Sequence, residues 1–362
     1  MDKMKRFIDI NVPVTSCTLR CHYCYITQHR LFSAALPKFR YGAEFIGKAL
    51  SAERLGGICH INMCGGGETL LPPEMTTIVR AILEQGHYIM IVTNGTVTKR
   101  FEEMMTYPVE LRQRLGFKFS FHYLELKKRN LLDVFFANIK RVRNAGCSFS
   151  LELTPSDELI PYIEEIKAVC MERVGALCHV TVARDEKKAE FPILTKYSRE
   201  EYKKIWGSFH SDLFDFKISV FGEKRKEFCY AGVWGGILDI GTGVLRACDN
   251  TLLRQNIFED ISKPIRFKAI GQCNKSHCHN AHAWLTLGMV PCLKTPYYFQ
   301  MRNRQDAEGR DWLNPQMKAF LGQKLGNENE RFNQSKEKSV YRMARLKNKT
   351  WSVLHWVKNK IK

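Results

Sequence analysis

The sequence predicts an α/β fold in which a partial (βα)6 barrel carries a small C-terminal domain. From residue 5 to about 185, short β-like runs alternate with longer segments of helical spacing, a pattern typical of repeated βα units around a parallel sheet. The six units are too few for a closed barrel, so we expect an open one. After residue 215 the sequence becomes rich in Gly and then dense in Cys and His, which indicates a second, smaller domain.

Each predicted strand is a short apolar or alternating run bounded by turn residues. The six candidates are Phe7–Pro13, His60–Cys64, Tyr88–Thr93, Phe117–Tyr123, Ser148–Thr154 and Cys178–Ala183. Apolar residues at three- and four-residue intervals predict helices within Glu74–Glu84, Leu131–Asn144 and Glu158–Glu172. We expect a barrel domain over 5–215, a second domain over 216–300 and a basic helical tail over 301–362.

Composition restricts the class of protein. A hydrophobic fraction of 44% is typical of a globular chain, and no apolar run approaches the length of a membrane span or secretion signal, so we expect a cytoplasmic location. Thirteen cysteines in a reducing compartment favour metal ligation for those that cluster. The scattered ones are predicted to be small buried hydrophobes: Cys59, Cys64, Cys147, Cys170 and Cys178.

The most informative segment is the run CTLRCHYC, directly after the first predicted strand. Cys17, Cys21 and Cys24 have the spacing C-x3-C-x2-C. A [4Fe–4S] cluster usually takes four cysteine ligands, so three cysteines leave one iron open to a substrate or cofactor. The alternative is a zinc site, but zinc favours paired C-x2-C knuckles with four ligands.

This run resembles the C-x3-C-x-aromatic-C motif of the radical S-adenosylmethionine (SAM) superfamily, with Tyr23 in the aromatic position. The resemblance implies that Cys17, Cys21 and Cys24 bind a catalytic [4Fe–4S] cluster whose open iron chelates SAM. It implies reductive cleavage of SAM to a 5′-deoxyadenosyl radical, which abstracts hydrogen from a substrate. It further implies that Tyr23 lies near the adenine, and that an electron donor such as flavodoxin or ferredoxin supplies the electron.

The second predicted strand ends in a glycine run whose bare backbone allows close approach to a ligand. Glycine runs also form ordinary turns. Beside the cysteine loop, this run resembles the GGE motif that contacts the amino group of SAM in the superfamily. The matching positions are Gly66, Gly67 and Glu68.

Further polar residues follow the later strands, where barrel chemistry gathers. Asn94 lies in a Thr-Asn-Gly run after the third strand, and Ser120 and His122 alternate with apolar residues on the fourth. Arg184 follows the sixth strand and suits the carboxylate of SAM. The resemblance implies that Asn94, Ser120 and Arg184 contact SAM. The alternatives are a turn for Asn94 and a solvated strand face for Ser120. For Arg184 and for Glu152 the alternative is a surface charge.

A second group of cysteines lies in the C-terminal third. Cys229, Cys248, Cys273 and Cys278 are enough to hold a complete [4Fe–4S] cluster. Their pattern resembles the SPASM domain and its shorter relative, twitch, and implies one auxiliary cluster of the twitch kind. Cys292 is an additional candidate ligand. A mixed Cys/His zinc site is the alternative, because the same segment contains His277, His279 and His282.

The substrate class rests on the resemblance. Radical SAM proteins with a twitch-like domain include dehydrogenases of carbinols on sugars and cyclitols, whereas SPASM relatives commonly modify ribosomally made peptides. The cysteine loop begins within twenty residues of the start, so we expect no preceding peptide-recognition domain. We therefore favour oxidation or epimerisation of a carbohydrate-type substrate, phosphorylated or lipid-linked. The alternatives are a peptide-modifying maturase and a non-catalytic iron–sulfur or zinc protein that binds or senses.

The chain is strongly basic, with a formal net charge of +19. This charge favours an acidic or glycan-type substrate, and nucleic acid is disfavoured because no recognition fold accompanies it. Residues 336–362 hold nine Lys or Arg against one acid, and their helical apolar stripe suits peripheral membrane contact, with a helix docked on its own core as the alternative. The stripe and its aromatic neighbours are Val340, Met343, Leu346, Trp351, Val353, Trp356, Val357 and Ile361.

Overall fold

The computed structural model describes residues 2–249 and 253–360. Its strands form one sheet in the order β6-β5-β4-β3-β2-β1-β7-β8-β9. The strands are β1 Arg6–Val12, β2 Cys59–Gly65, β3 Tyr88–Thr93, β4 Leu115–Ser120, β5 Ser148–Leu153, β6 His179–Val180, β7 Gly235–Asp239, β8 Val244–Arg246 and β9 Arg254–Asn256.

Helices connect the parallel strands β1 to β6 and cover their outer face. The helices as far as the sixth strand are α1 Tyr25–His29, α2 Ala43–Ala49, α3 Ala52–Leu55, α4 Met75–Leu83, α5 Thr98–Met105, α6 Val109–Arg112, α7 Tyr123–Lys128, α8 Leu132–Asn144 and α9 Ile163–Val174. Those after it are α10 Arg199–Gly207, α11 Asp212–Val220, α12 Ala281–Trp284, α13 Pro315–Leu321, α14 Leu325–Glu328 and α15 Gln334–Lys360. Two 3₁₀ helices span Asp157–Tyr162 and Tyr298–Met301.

The α/β class and the parallel sheet of the open barrel are confirmed, and the predicted bounds of two strands, the fourth and the sixth, were wrong. The fourth strand ends at Ser120, not at Tyr123, because the His122 amide turns back to the Ser120 carbonyl and the helix formers of α7 follow. The sixth strand is two residues long, since it lies at the sheet edge and pairs only with β5.

The C-terminal part continues the barrel sheet. β7 pairs in parallel with β1, and β8 and β9 follow as antiparallel strands. Hydrogen bonds therefore join the two predicted domains directly, while the boundaries near residues 215 and 300 stay predictions.

The two faces of the barrel sheet differ in polarity. On the outer face, fully buried apolar side chains pack against the helices, among them Ile10, Met63, Ile91, Phe117 and Leu151. Because successive strand residues point to opposite faces, the residues between them line the barrel interior. These include Asp9, Asn62, Lys118 and Ser120, all of which are partly accessible. The interior is thus polar and open to solvent.

The N-terminal end of the barrel is closed by the C-terminal segment. Trp284 packs edge-on against Phe7 of β1, with ring centroids 5.6 Å apart, and Phe320 of α13 stacks on Tyr88 of β3 at 3.7 Å. These rings belong to a second hydrophobic core beneath the barrel. A ligand therefore reaches the interior from the C-terminal ends of the strands.

The first half of α15 docks on the segments that hold the second cysteine group. Tyr230 donates to Glu337 at 2.6 Å, and Tyr341 donates to the carbonyl of Lys226 at 2.8 Å. Within the described residues, no helix combines the length and apolarity needed to cross a bilayer. Ile361 lies outside the described residues, as do the side chains of Trp351, Val353, Trp356 and Val357.

Replacing His60 with Phe should make the fold more resistant to acid. His60 is fully buried beside the rings of Phe7 and Tyr298, and burial lowers its pKa to about 3. The unfolded chain therefore binds a proton below about pH 6.5 that the folded chain does not, and stability falls as pH decreases. Between pH 7 and pH 5 we expect the original chain to lose about 1 to 2 kcal/mol of folding free energy that the His60→Phe variant retains.

Melting temperatures measured across that pH range test this expectation. The exposed His210, replaced with Asn, is the matched control, because its surroundings change little on unfolding. A His60→Phe variant that loses as much stability on acidification as the His210→Asn variant would contradict it.

Candidate active site

Cys17, Cys21 and Cys24 lie together in the loop between β1 and α1. The Cys24 amide donates to the Cys21 carbonyl at 3.2 Å, and Cys24 then begins helix α1. Burial raises the pKa of Cys21, and the neighbouring Cys24 and Cys17 thiols raise it further. Three thiols thus share one site, and binding to a metal would deprotonate them.

The glycine run after β2 packs directly on the backbone of this loop. The Gly67 amide donates to the Val14 carbonyl at 2.6 Å, and the Glu68 amide donates to the Ser16 carbonyl at 2.9 Å. A Cβ atom on Gly67 would lie 1.9 Å from the Ser16 carbonyl oxygen. The close approach of the two backbones therefore requires glycine at this position.

Glu68 connects this contact to the third strand. Its buried carboxylate accepts hydrogen bonds from the Thr93 hydroxyl at 2.6 Å, the Asn94 amide at 2.6 Å and the Leu70 amide at 3.0 Å. Burial raises the pKa of Glu68, and these hydrogen bonds oppose the rise. The carboxylate holds the end of β3 against the glycine run.

Asn94 completes a ring of contacts back to the cysteine loop. Its Nδ2 donates to the Thr18 hydroxyl at 2.8 Å and lies 3.5 Å from the Cys17 sulfur. Thr96 also meets Thr18, with 2.9 Å between the hydroxyl oxygens. Three consecutive strand ends therefore converge on Cys17.

Tyr23 reaches the end of the fourth strand. Its hydroxyl lies 2.7 Å from Nδ1 of His122, and burial lowers the pKa of His122 to about 4. An imidazole that is neutral at pH 7 can share one hydrogen bond with the phenol. Ser120, two residues earlier, lies on the inner face of β4 and pairs in register with Glu152.

Arg184 lies beside α1, but its side chain turns toward the C-terminal segment. Its carbonyl accepts from the Gln28 side chain at 3.1 Å. Its guanidinium donates to the His279 carbonyl at 3.1 Å and pairs with Glu186 at 2.8 Å. A ligand carboxylate would compete with Glu186 for this group.

The structure also gathers the four C-terminal cysteines. Burial raises the pKa of Cys229, and the neighbouring Cys248 and Cys273 thiols raise it further. Burial also raises the pKa of Cys278, and the thiols of Cys229, Cys248 and Cys273 add to that rise. Backbone pairing of Cys229 with Gly271 brings the two halves of the group together. Cys292 is exposed and is not among the thiols that shift these pKa values.

The histidines of the same segment point elsewhere. His277 packs against Phe221 and His279, and His282 is near Glu152 and Lys217. Among the described residues, no three His, Cys, Asp or Glu side chains are placed to bind one metal ion. A [4Fe–4S] cluster takes one thiolate on each iron, so its ligands need not converge on a single ion. The four C-terminal cysteines fit that donor set, and Cys17, Cys21 and Cys24 supply three of its four thiolates.

Some residues at the site were not predicted. Cys64, expected to be a buried hydrophobe, faces the interior near Cys24 and Asp9, and burial raises its pKa to about 12. The alternation of β2 carries this signal, because Cys64 shares its face with Asn62. Thr18 gives no such signal, since its contacts come from a distant strand.

Replacing Gly67 with Ala should impair assembly of the cysteine site. The added Cβ meets a backbone carbonyl that cannot move without shifting the cysteine loop. In Gly66→Ala, the nearest atoms are the Tyr25 side-chain hydroxyl at 2.9 Å and the Val14 carbonyl oxygen at 3.1 Å, so small shifts are enough to accommodate the added Cβ. After anaerobic reconstitution, we expect Gly67→Ala to bind severalfold less iron than Gly66→Ala and to melt at a lower temperature. Equal iron content and melting temperature in the two variants would contradict this account.

Comparison with known proteins gives an independent result. The profile of the Radical SAM superfamily matches residues 11–154. This region contains β1 to β5, the cysteine loop, the glycine run and Asn94. No curated protein sequence matches the chain significantly.

Solved structures resemble the fold at low sequence identity. Streptococcus suis SuiB is 15% identical, with a TM-score of 0.50 over 70% of this chain and 64% of SuiB. SuiB bound to the precursor peptide SuiA gives the same identity and TM-score over 72% and 64%. Native anSMEcpe with bound AdoMet is 15% identical over 98% of this chain and 100% of its own, with a TM-score of 0.49. The chain thus spans less than two thirds of the SuiB length. Residues 11–154 therefore form a Radical SAM domain, and the cysteine loop lies within it.

Proposed function

We propose that this protein is an enzyme that cleaves SAM reductively and abstracts hydrogen from a substrate held inside the barrel. The observation that carries the proposal is the convergence of three strand ends on the cysteine loop, at the open end of the barrel. When bound, the iron–sulfur cluster supplies the electron that cleaves SAM. The members of the superfamily are enzymes, and the interior below the loop is polar and accessible.

The residues have distinct roles in this proposal. Cys17, Cys21 and Cys24 hold the cluster. Tyr23 lies against the adenine, and its hydrogen bond to His122 keeps the ring in one orientation.

The remaining SAM contacts come from the strand ends. Gly66 and Gly67 contact SAM through backbone atoms other than the Gly67 amide, which already donates to the Val14 carbonyl. Glu68 acts by holding Asn94, because its oxygens already accept three hydrogen bonds. Asn94 and Ser120 bind polar groups of SAM. Arg184 binds the carboxylate of SAM, which replaces Glu186 as the ion-pair partner of the guanidinium.

For the substrate, we propose oxidation or epimerisation of a carbohydrate-type molecule. The basic composition, with a net charge of +19, suits a phosphorylated or lipid-linked form. The electron donor is a small acidic redox protein such as flavodoxin or ferredoxin. Peripheral contact with an anionic membrane through residues 336–362 would suit a lipid-linked substrate, and the exposed Met343 and Leu346 support it.

A peptide-modifying maturase is the second candidate. It is favoured by the fold similarity to SuiB, whose structure has been solved with its precursor peptide SuiA. Turnover of a peptide and of no carbohydrate would select this alternative.

Reduced, reconstituted protein should form 5′-deoxyadenosine from SAM. Replacing Cys17, Cys21 or Cys24 with Ala should reduce the rate at least a hundredfold, because each thiolate binds a separate iron. Chromatographic measurement of 5′-deoxyadenosine under anaerobic conditions tests this. The exposed Cys292, replaced with Ala, is the matched control and should retain the rate. A non-catalytic binding or sensing protein would form no 5′-deoxyadenosine in any variant.

We further propose that Cys229, Cys248, Cys273 and Cys278 hold one auxiliary [4Fe–4S] cluster. It would either accept an electron from the substrate radical or anchor the substrate. Reconstituted protein should then contain about eight iron atoms per chain, and Cys273→Ala or Cys278→Ala about four. Iron analysis and electron paramagnetic resonance test this expectation, again with Cys292→Ala as control. A metal content of one zinc ion at this site would contradict it.

A further inference from the structure

The deep part of the barrel interior concentrates positive charge. Arg302 pairs with Glu152 of β5 at 2.6 Å, and Lys118 of β4 lies 3.5 Å from the other oxygen of the same carboxylate. Lys217 extends from α11 into this group and donates to the Thr181 hydroxyl at 2.5 Å. Two cationic side chains therefore pair with one carboxylate, and a third from a separate part of the chain lies close enough to feel the charge of all three.

Lys217 lacks a counter-ion of its own. Among the described residues no carboxylate lies within ion-pair distance of its ammonium group, whereas Glu152 is shared with Arg302 and Lys118. Burial lowers the pKa of Lys217 to about 7; Glu152 opposes this shift, and the positive charges of Arg184, Lys118 and Arg302 add to it. A bound anion would offset both the desolvation and the repulsion.

Buried polar atoms beside this group lack partners. Ser150 is fully buried on β5, in register with Lys118, and its hydroxyl makes no hydrogen bond to any other described residue. The same is true of Nδ1 of His282, which is near Lys217 and Glu152. A buried hydroxyl or imidazole without a partner is costly, and a ligand with several acceptor oxygens would satisfy both.

A carboxylate across the barrel does not neutralise the excess positive charge around Lys217. Asp9 of β1 accepts a hydrogen bond from the Asn62 amide at 2.7 Å, and burial is the main cause that raises its pKa to about 6. Asp249 adds to that rise and Lys118 opposes it, whereas Glu152 is the anion among the main charges that act on Lys217.

We infer that the barrel interior binds an oxyanion, a phosphate or carboxylate of a small-molecule substrate, among Lys118, Lys217, Ser150 and His282. This inference rests on the proposed function, because it assigns the anion to the molecule that loses hydrogen. Lys118, Lys217 and His282 are partly accessible, which leaves a path from the open strand ends to the site, and Ser150 lies fully buried behind Lys118 and Glu152 on the same inner face.

The geometry also orients the substrate. Lys118 lies on β4 two residues before Ser120 and four before His122, so the anion is about 7 Å deeper than the proposed SAM contact at Ser120. The anionic group points to the closed end of the barrel, and the carbon that reacts faces the cysteine loop. A substrate bound this way is small enough to enter the barrel with its charged end first.

Binding of simple anions to the full reconstituted chain tests the site. Inorganic phosphate and malonate are titrated calorimetrically at constant ionic strength against a chloride background. We expect Lys217→Gln and Lys118→Gln to weaken binding of the preferred anion at least tenfold. Lys217→Arg, which keeps the charge, should stay within a fewfold of the original chain. Lys48→Gln is the control, because Lys48 is an exposed lysine on α2 paired with Glu44.

The outcomes separate the site from the reaction. Preferred binding of phosphate or of malonate identifies which oxyanion the substrate carries. Unchanged binding in Lys217→Gln, or no binding of either anion by the original chain while it still forms 5′-deoxyadenosine, overturns the anion site alone. Anion binding by a chain that forms no 5′-deoxyadenosine overturns the proposed function and, with it, the assignment of the anion to a substrate. Turnover only of an uncharged substrate or a long peptide also overturns the inference.

Discussion

The backbone contact between the cysteine loop and the glycine run is the constraint on which the site depends. Gly67 and Glu68 donate to the carbonyls of Val14 and Ser16, and no other residue type fits at Gly67 without moving that loop. Glu68 then extends the contact to β3 through Asn94. A loop of three cysteines would otherwise be a mobile segment. Here its conformation is coupled to three neighbouring strands, so the thiols are preorganised before any metal binds.

The polar interior and the closed end of the barrel depend on each other. Placing Lys118 and Glu152 inside a sheet is costly unless their charges are compensated. Arg302, from the segment that closes the N-terminal end, compensates Glu152 and is itself held by the Tyr298 hydroxyl at 3.2 Å. The C-terminal part of the chain is therefore needed for the barrel interior as well as for the second cysteine group, and β7 attaches this part to the barrel sheet by pairing with β1.

Local sequence patterns predicted most of the barrel. The alternation and length of the apolar runs located the strands to within a few residues, because burial of one or both sheet faces imposes that pattern. They failed at the end of β4 and at β6. At Tyr123 a helix begins in a segment that also reads as a strand, and at the sheet edge pairing ends where β5 no longer offers a partner. Neither event depends on local preference alone.

By itself the sequence determined the fold class, the cysteine triad and the order of the site along successive strand ends, because these follow from spacing and periodicity. Only the tertiary structure decided which distant groups meet. Lys217 and Arg302 lie far along the chain from Lys118 and give no periodic signal, yet packing of α11 and the C-terminal segment brings them to one carboxylate. Contacts between residues tens to more than a hundred positions apart depend on how the elements pack, and that information is absent from any local pattern.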